Sequence, residues 1–243
     1  MERADICISK MGFAKSRTQA KNIILEKRAF YNGKLITKSS MLVDERGVFV
    51  EVSENDRYVS RGALKLLSAI NSFKIDISDM VCMDIGASTG GFTQVMLENN
   101  AKLVYAVDVG TSQLDASLLM NDRVKSLENT NFRYLEFDKI GEKMDFVSID
   151  VSFISLNYIF MNLTKFLTKD SIVVALIKPQ FECGPDGLNK NGIVKSEKVI
   201  EKVVENVKLY AENNKLEVIS IIESPILGGD GNKELLALIK ARC

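Results

Sequence analysis

No histidine occurs among the 243 residues, which removes Ser-His-Asp and Cys-His catalysis and most zinc sites in one step. Any proton transfer then falls to Lys, Asp, Glu, Tyr or water. The four cysteines, Cys7, Cys82, Cys183 and Cys243, form no Cys-x-x-Cys pair, so the expected compartment is the reducing cytoplasm and no metal is expected. Also missing are a run of 18 apolar residues and a secretory signal, which argues against membrane insertion and export. There is no net charge either, since 32 Lys and Arg balance 32 Asp and Glu.

That balance is uneven along the chain. Residues 1–40 hold nine Lys/Arg against three Asp/Glu, and the remaining 203 hold 23 against 29. A basic head on a mildly acidic body points the head at a polyanion. The length suits one large domain and one small one, and 46% hydrophobic with 26% charged residues is ordinary for a soluble globular protein.

The stretch that organises the body is Asp84-Ile85-Gly86-Ala87-Ser88-Thr89-Gly90-Gly91-Phe92-Thr93, which follows the apolar run Met80–Met83 and precedes a helical pattern. Strand, glycine turn and helix in that order make a seat where a flat ligand lies against the main chain. No Lys-Ser/Thr pair follows the last glycine, and the spacing is not Gly-x-Gly-x-x-Gly, so neither a P-loop nor a dinucleotide fingerprint fits. A second acid, Asp108, ends the apolar run Leu103–Val107, where an acid binds ribose hydroxyls. A glycine turn without phosphate features plus a ribose-binding acid fits an adenosyl ligand free of phosphate, S-adenosyl-L-methionine, with S-adenosylhomocysteine as product. Asn131 and Asp150 complete the expected cofactor set.

Taken in order, residues 1–13 suit a short amphipathic helix closed near Gly12, and Ser16 with Gln19 forms a capping box for the next helix. Asn32-Gly33 between Ala29–Tyr31 and Lys34–Ile36 predicts a hairpin, and Val48–Val52 a further strand. After a polar connector, a helix begins near Arg61. Its apolar stripe is Leu64, Leu67 and Ile70, and Lys65 stands one step off it. Later elements are a helix over Ser112–Met120, a strand over Met144–Ile149 that stops on Asp150, a helix over Ser155–Leu167, and a strand over Ser171–Ile177 that ends on Lys178-Pro179. A mobile loop over Gly184–Gly192, a helix over Lys195–Asn213 and strands at Leu216–Glu223 and Glu234–Ile239 close the chain. The alternation predicts an α/β fold: a Rossmann-like, mostly parallel methyltransferase sheet with an antiparallel last strand, preceded by a small α/β domain. The expected boundaries are 1–55 for the small domain, 56–61 for a linker and 62–243 for the large one. Phe92, Phe132 and Phe153 are expected in the core.

The two small helices, the basic face and the Asn-Gly hairpin resemble the RNA-binding domain first seen in ribosomal small-subunit protein four, above all in Ser-Arg-x-x-Ala-x-x-x-Ile from Ser16 to Ile24. The resemblance places Lys15, Arg17, Lys21 and Arg28 on RNA phosphates. With Lys65, the glycine turn, Asp150-Val151-Ser152-Phe153-Ile154-Ser155-Leu156, Lys178-Pro179-Gln180-Phe181-Glu182 and Gly231-Asn232-Lys233-Glu234, the chain as a whole is similar to the TlyA family. That family joins such a domain to an FtsJ-like methyltransferase domain, and many of its members carry a haemolysin label. The resemblance implies methylation of a cytidine ribose 2′-hydroxyl in ribosomal RNA, with a ribosomal subunit or its precursor as partner. It also implies a catalytic tetrad, which falls on Lys65, Asp150, Lys178 and Glu234. The short tail and compact head go with a large-subunit target.

The chemistry agrees with those roles. Transfer of a methyl from a sulfonium to a ribose oxygen needs that oxygen aimed in line and relieved of its proton. Without histidine, a lysine must act as the neutral base or hold the forming alkoxide as a cation, and the sequence leaves open which lysine is neutral. Lys178 is assigned that task, Asp150 orients it, and Lys65 and Glu234 position the ribose. Two other functions share the residues: a non-catalytic ribosome-binding factor, and a membrane-lytic haemolysin.

Overall fold

The computed structural model describes residues 1–14, 16–51, 57–228 and 231–242. The chain forms two compact units, residues 1–60 and 61–243.

In the first unit the order is β1 (Glu2–Arg3), α1 (Ala4–Lys10), α2 (Arg17–Leu25), β2 (Ala29–Tyr31), β3 (Lys34–Leu35), β4 (Leu42–Val43) and β5 (Val48–Val50). The expected helix over 1–13 is shorter because Glu2 and Arg3 pair with Val43 and Leu42 instead. The Ser16 Oγ accepts from the Gln19 amide at 3.2 Å and caps α2. Asn32 and Gly33 both take positive φ, 49° and 75°, as a tight hairpin demands. Apolar faces of α1 and α2 meet in a core of Cys7, Ile8, Ala20, Ile23 and Ile24 with Ile36 and Val43. Asp5 is fully buried beside it. Bonds from Arg3 (3.0 Å) and Arg17 (3.2 Å) bring its pKa down to about 2 against the cost of burial.

The second unit runs α3 (Ala63–Phe73), β6 (Val81–Ile85), α4 (Gly91–Glu98), β7 (Leu103–Val107), α5 (Ala116–Leu119), β8 (Val124–Leu127), β9 (Met144–Ile149), α6 (Leu156–Leu163), β10 (Leu167–Ile177), α7 (Pro179–Glu182), α8 (Glu197–Asn213), β11 (Leu216–Glu223) and β12 (Leu235–Ala241). Its seven-stranded sheet has the order β11-β12-β10-β9-β6-β7-β8. The strands from β10 to β8 pair in parallel, and β12 lies antiparallel to both its neighbours, as the alternation predicts. The core holds Met83, Ile85, Val147, Phe160, Phe166, Val173 and Ile177, all essentially solvent-free. Phe92 and Phe132 are buried as expected.

Three expectations need correction. Val124–Leu127 forms the edge strand β8 inside what reads as a polar segment, because a four-residue strand exposed on one side carries no apolar run. The helix over 112–120 contracts to Ala116–Leu119, begun by Asp115, whose side chain accepts from the Ser117 amide. The loop after Gly184, expected to be mobile, is tied down: Leu188 bridges to Val194, and buried Asn232 accepts from the Val194 amide (2.9 Å) and donates to the Gly192 carbonyl (3.0 Å).

Candidate active site

Order reverses in the sheet beside β6, since the chain goes outward to β7 and β8 and then returns to β9 on the other side. A crevice opens beyond the carboxyl ends of strands at such a point. Here it is a cavity of about 520 Å³, within the range that holds small ligands. Of the residues expected to hold the cofactor, Gly86, Ser88, Asp108, Asn131 and Asp150 line it. Asp108 is aimed by two backbone donors, Ser88 N–H at 2.8 Å and Gly110 N–H at 2.7 Å. Each of its oxygens keeps a lone pair for a hydroxyl. Ile85, Val107, Phe132 and Ile159 give the cavity apolar walls suited to a flat ring.

The remaining glycine-turn residues act from behind. Ala87, Gly90, Gly91 and Phe92 are buried, Thr89 is exposed at the turn, and none lines the cavity. Asp84 is fully buried, and its carboxylate accepts from Thr93 Oγ1 at 2.7 Å and Ser148 Oγ at 2.8 Å. It therefore braces the turn from the protein side, joining β6 to α4 and β9. Burial pushes its pKa up to about 6 against those two bonds.

On the acceptor side, register explains why distant residues meet. Ile149, the last residue of β9, pairs with Ala175 of β10, and Ile177 at the end of β10 lies opposite Leu235 at the start of β12. Asp150, Lys178 and Glu234 are the flanking residues, and so all three leave the sheet at one edge. The Lys178 Nζ sits 2.6 Å from Asp150 Oδ1 and donates to Ser152 Oγ at 2.9 Å. The Lys65 Nζ reaches Glu234 Oε2 at 2.5 Å, both side chains being almost wholly buried. Lys65 is thus no surface lysine, although its place off the apolar stripe reads that way. The repulsion expected between the two lysines is met by one carboxylate apiece.

Ser152 was not singled out in the sequence, and Phe153 was assigned to the core; both line the cavity. The Phe153 assignment is corrected: its ring is 89% exposed and stands 4.8 Å from that of Phe181. At Phe153 the chain turns with φ of +62°, which swings the ring out of the strand's alternation. No apolar pattern signals a left-handed residue of this kind.

In the first unit, Lys21 is exposed and Arg17 is half-exposed although bound to Asp5. Arg28 is mostly covered and donates to the Glu51 carbonyl at 2.7 Å and to Glu26, so it braces the small sheet. Lys15 lies outside the described residues. Among the described residues, no helix is long and apolar enough to cross a membrane and no acid or thiol cluster could hold a metal.

Residues 58–240 match the family described as FtsJ-like methyltransferase, and residues 2–49 match the S4 domain. The chain is 35% identical to the 16S/23S rRNA (cytidine-2′-O)-methyltransferase TlyA of Mycobacterium tuberculosis over 241 residues, 99% of this chain and 90% of that one. It is 37% identical to Hemolysin A of Brachyspira hyodysenteriae over 97% of this chain and 98% of that one. A solved structure described as a hemolysin, from Streptococcus thermophilus, superposes with a TM-score of 0.80 at 45% identity, over 99% of this chain and 88% of that one.

The Asp84 site makes a prediction about stability. Its pKa is raised above the ordinary carboxylate value, so ionising it costs the folded state, and stability falls as pH rises from about 4 to about 6. Relative to Asp84→Asn, whose amide can still engage both hydroxyls, the unmodified chain should lose about 2 kcal/mol across that interval and about 3 kcal/mol over the whole titration. Urea unfolding at a series of pH values measures this, and a constant difference would contradict it.

Proposed function

The chain belongs to the TlyA family of FtsJ-like methyltransferases, and from that premise we propose that it methylates a ribose 2′-hydroxyl, of cytidine, in ribosomal RNA within a cytoplasmic ribosomal subunit or its precursor. It is an S-adenosylmethionine-dependent enzyme with an S4-type RNA-binding domain. The observation that carries the substrate reading is the meeting of two lysine-carboxylate pairs at the sheet edge, with Asp150 shared between the Lys178 pair and the cavity wall.

The cavity fits the donor: apolar walls for the adenine, Asp108 for the ribose, and Gly86 and Ser88 of the glycine turn along one side. When bound, S-adenosylmethionine supplies an electrophilic methyl on a positively charged sulfur. Asp150, on the cavity wall, would offset that positive charge while it orients Lys178. The Lys178 amine, held by Asp150 and Ser152, receives the proton of the 2′-hydroxyl or offsets the charge growing on its oxygen. The Lys65–Glu234 pair keeps a fixed hydrogen-bonding wall for the sugar. The exposed ring of Phe153 offers a base a face to stack on.

Lys178 is the residue to test, because its partner Asp150 retains contact with water once the amine is gone. Breaking the more deeply buried Lys65–Glu234 pair would cost about 3–5 kcal/mol and confuse folding with catalysis. Mass spectrometry of ribosomal RNA from cells lacking the gene, complemented with either form, should show the 2′-O-methyl mark with the wild-type chain and its absence with Lys178→Ala. Full modification by Lys178→Ala would defeat the catalytic reading in favour of a ribosome-binding factor.

The basic head supports electrostatic capture of RNA, in which each phosphate contact releases counterions. Arg17→Ala combined with Lys21→Ala should weaken RNA binding by about tenfold and flatten its salt dependence by about two contacts. Donor affinity should be unchanged. Equal losses of donor and RNA affinity would refute the division of labour between the units.

A further inference from the structure

Glu182 has no part in the chemistry above, yet it stands where two loops of the site meet. It is the last residue of α7, one turn beyond Lys178, and its carboxylate crosses to the loop that follows Asp150. Its Oε2 accepts from Ser155 Oγ at 2.7 Å and its Oε1 from the Leu156 amide at 2.7 Å. Ser155 is the N-cap of α6 and its Oγ also accepts from the Asn157 amide at 3.2 Å. One acid thus satisfies two donors at a helix start, where negative charge is favoured. The same two segments touch again through the Phe153 and Phe181 rings. Immediately before these contacts in the chain lie Asp150 and Ser152, the two groups that hold the Lys178 amine. Burial pushes the Glu182 carboxyl upward while its two bonds pull it down, so the sheet edge carries an acid whose partners all belong to the neighbouring loop.

We propose that Glu182 is a positioning residue for methyl transfer, clamping loop 151–155 to the turn after Lys178 so that Asp150 and Ser152 keep the amine in one place. This rests on the role given to Lys178 above. Glu182 binds no substrate atom; it acts through the Ser155 cap and the loop. Released, the loop would let the amine drift, and a displacement of about 1 Å at a reacting group costs up to about a hundredfold in rate.

Single-turnover methyl transfer by the full chain, at saturating donor and unmodified ribosomal subunits, tests this alongside melting temperature. Glu182→Ala should lower the rate constant about tenfold or more with the KM for subunits within about threefold. Glu182→Gln, which still accepts from the Leu156 amide, should restore most of it. Adding Ser155→Ala to Glu182→Ala should cost little more, because both remove the same contact. A Glu182→Ala rate within about twofold of wild type, with Lys178→Ala inactive, overturns the proposal. Wild-type activity in Lys178→Ala would instead sink the reading beneath it. Should Glu182→Ala fail to fold, Ser155→Ala carries the test: a rate about threefold to tenfold lower supports the clamp, and an unchanged rate overturns it.

Discussion

The site depends on one close approach of backbone to backbone. Gly86 follows β6 directly, with φ of +87°, and a Cβ there would lie 2.3 Å from the Asp150 carbonyl oxygen and 2.9 Å from its carbon. Neither atom belongs to a flexible side chain, so no rotamer change relieves the clash. The Asp150 amide in turn donates to the Ile85 carbonyl at 2.9 Å. The glycine turn proposed to receive the donor and the acid beside Lys178 are therefore a single piece of structure, set by two parallel strands ending at the same level. In-line transfer requires such a fixed relation between methyl donor and ribose oxygen, since misplacement by an ångström is costly.

Around that contact, buried polar groups do the holding and apolar packing supplies the stability. Asp84, Lys65, Glu234 and Asn232 are all buried, and each is satisfied by a partner from a different element. A buried ion pair contributes little net stability because desolvation offsets its attraction. Its value is geometric: few other arrangements satisfy both charges. In the Lys178–Asp150 pair the balance is different, as Asp150 still reaches the cavity where a sulfonium and a ribose would compete for it.

Much of this was legible in the sequence, and for identifiable reasons. Apolar runs that stop on Asp108, Asp150 and Lys178 mark strand ends, the glycine turn at Gly86 marks the end of β6, and a parallel sheet places strand ends along one edge. Residues whose role depends on which strands are neighbours were not legible. Glu182 matters because β10 lies beside β9, Ser152 because its loop faces Lys178, and Asn232 because it reaches 38 residues back to Val194. Lys65 is hidden for a related reason: one step off its helix stripe it reads as solvent-facing, and only its Glu234 partner, 169 residues away, explains its burial. Phe153 misled because burial was inferred from hydrophobicity, whereas a positive φ turned the ring outward. Arg28 donates to the Glu51 carbonyl, 23 residues on and just past the end of β5, a contact that no local pattern shows.

Gly86→Ala puts the coupling of donor seat and acceptor site to its most direct trial. Because the clash falls on main chain at the ends of two core strands, circular dichroism and thermal melting first establish that the variant is folded. Calorimetric titration with S-adenosylhomocysteine, paired with single-turnover transfer on ribosomal subunits, should then show donor affinity and transfer rate falling together, each by about tenfold or more. A Gly86→Ala chain that binds donor and transfers methyl like the wild type would contradict the account.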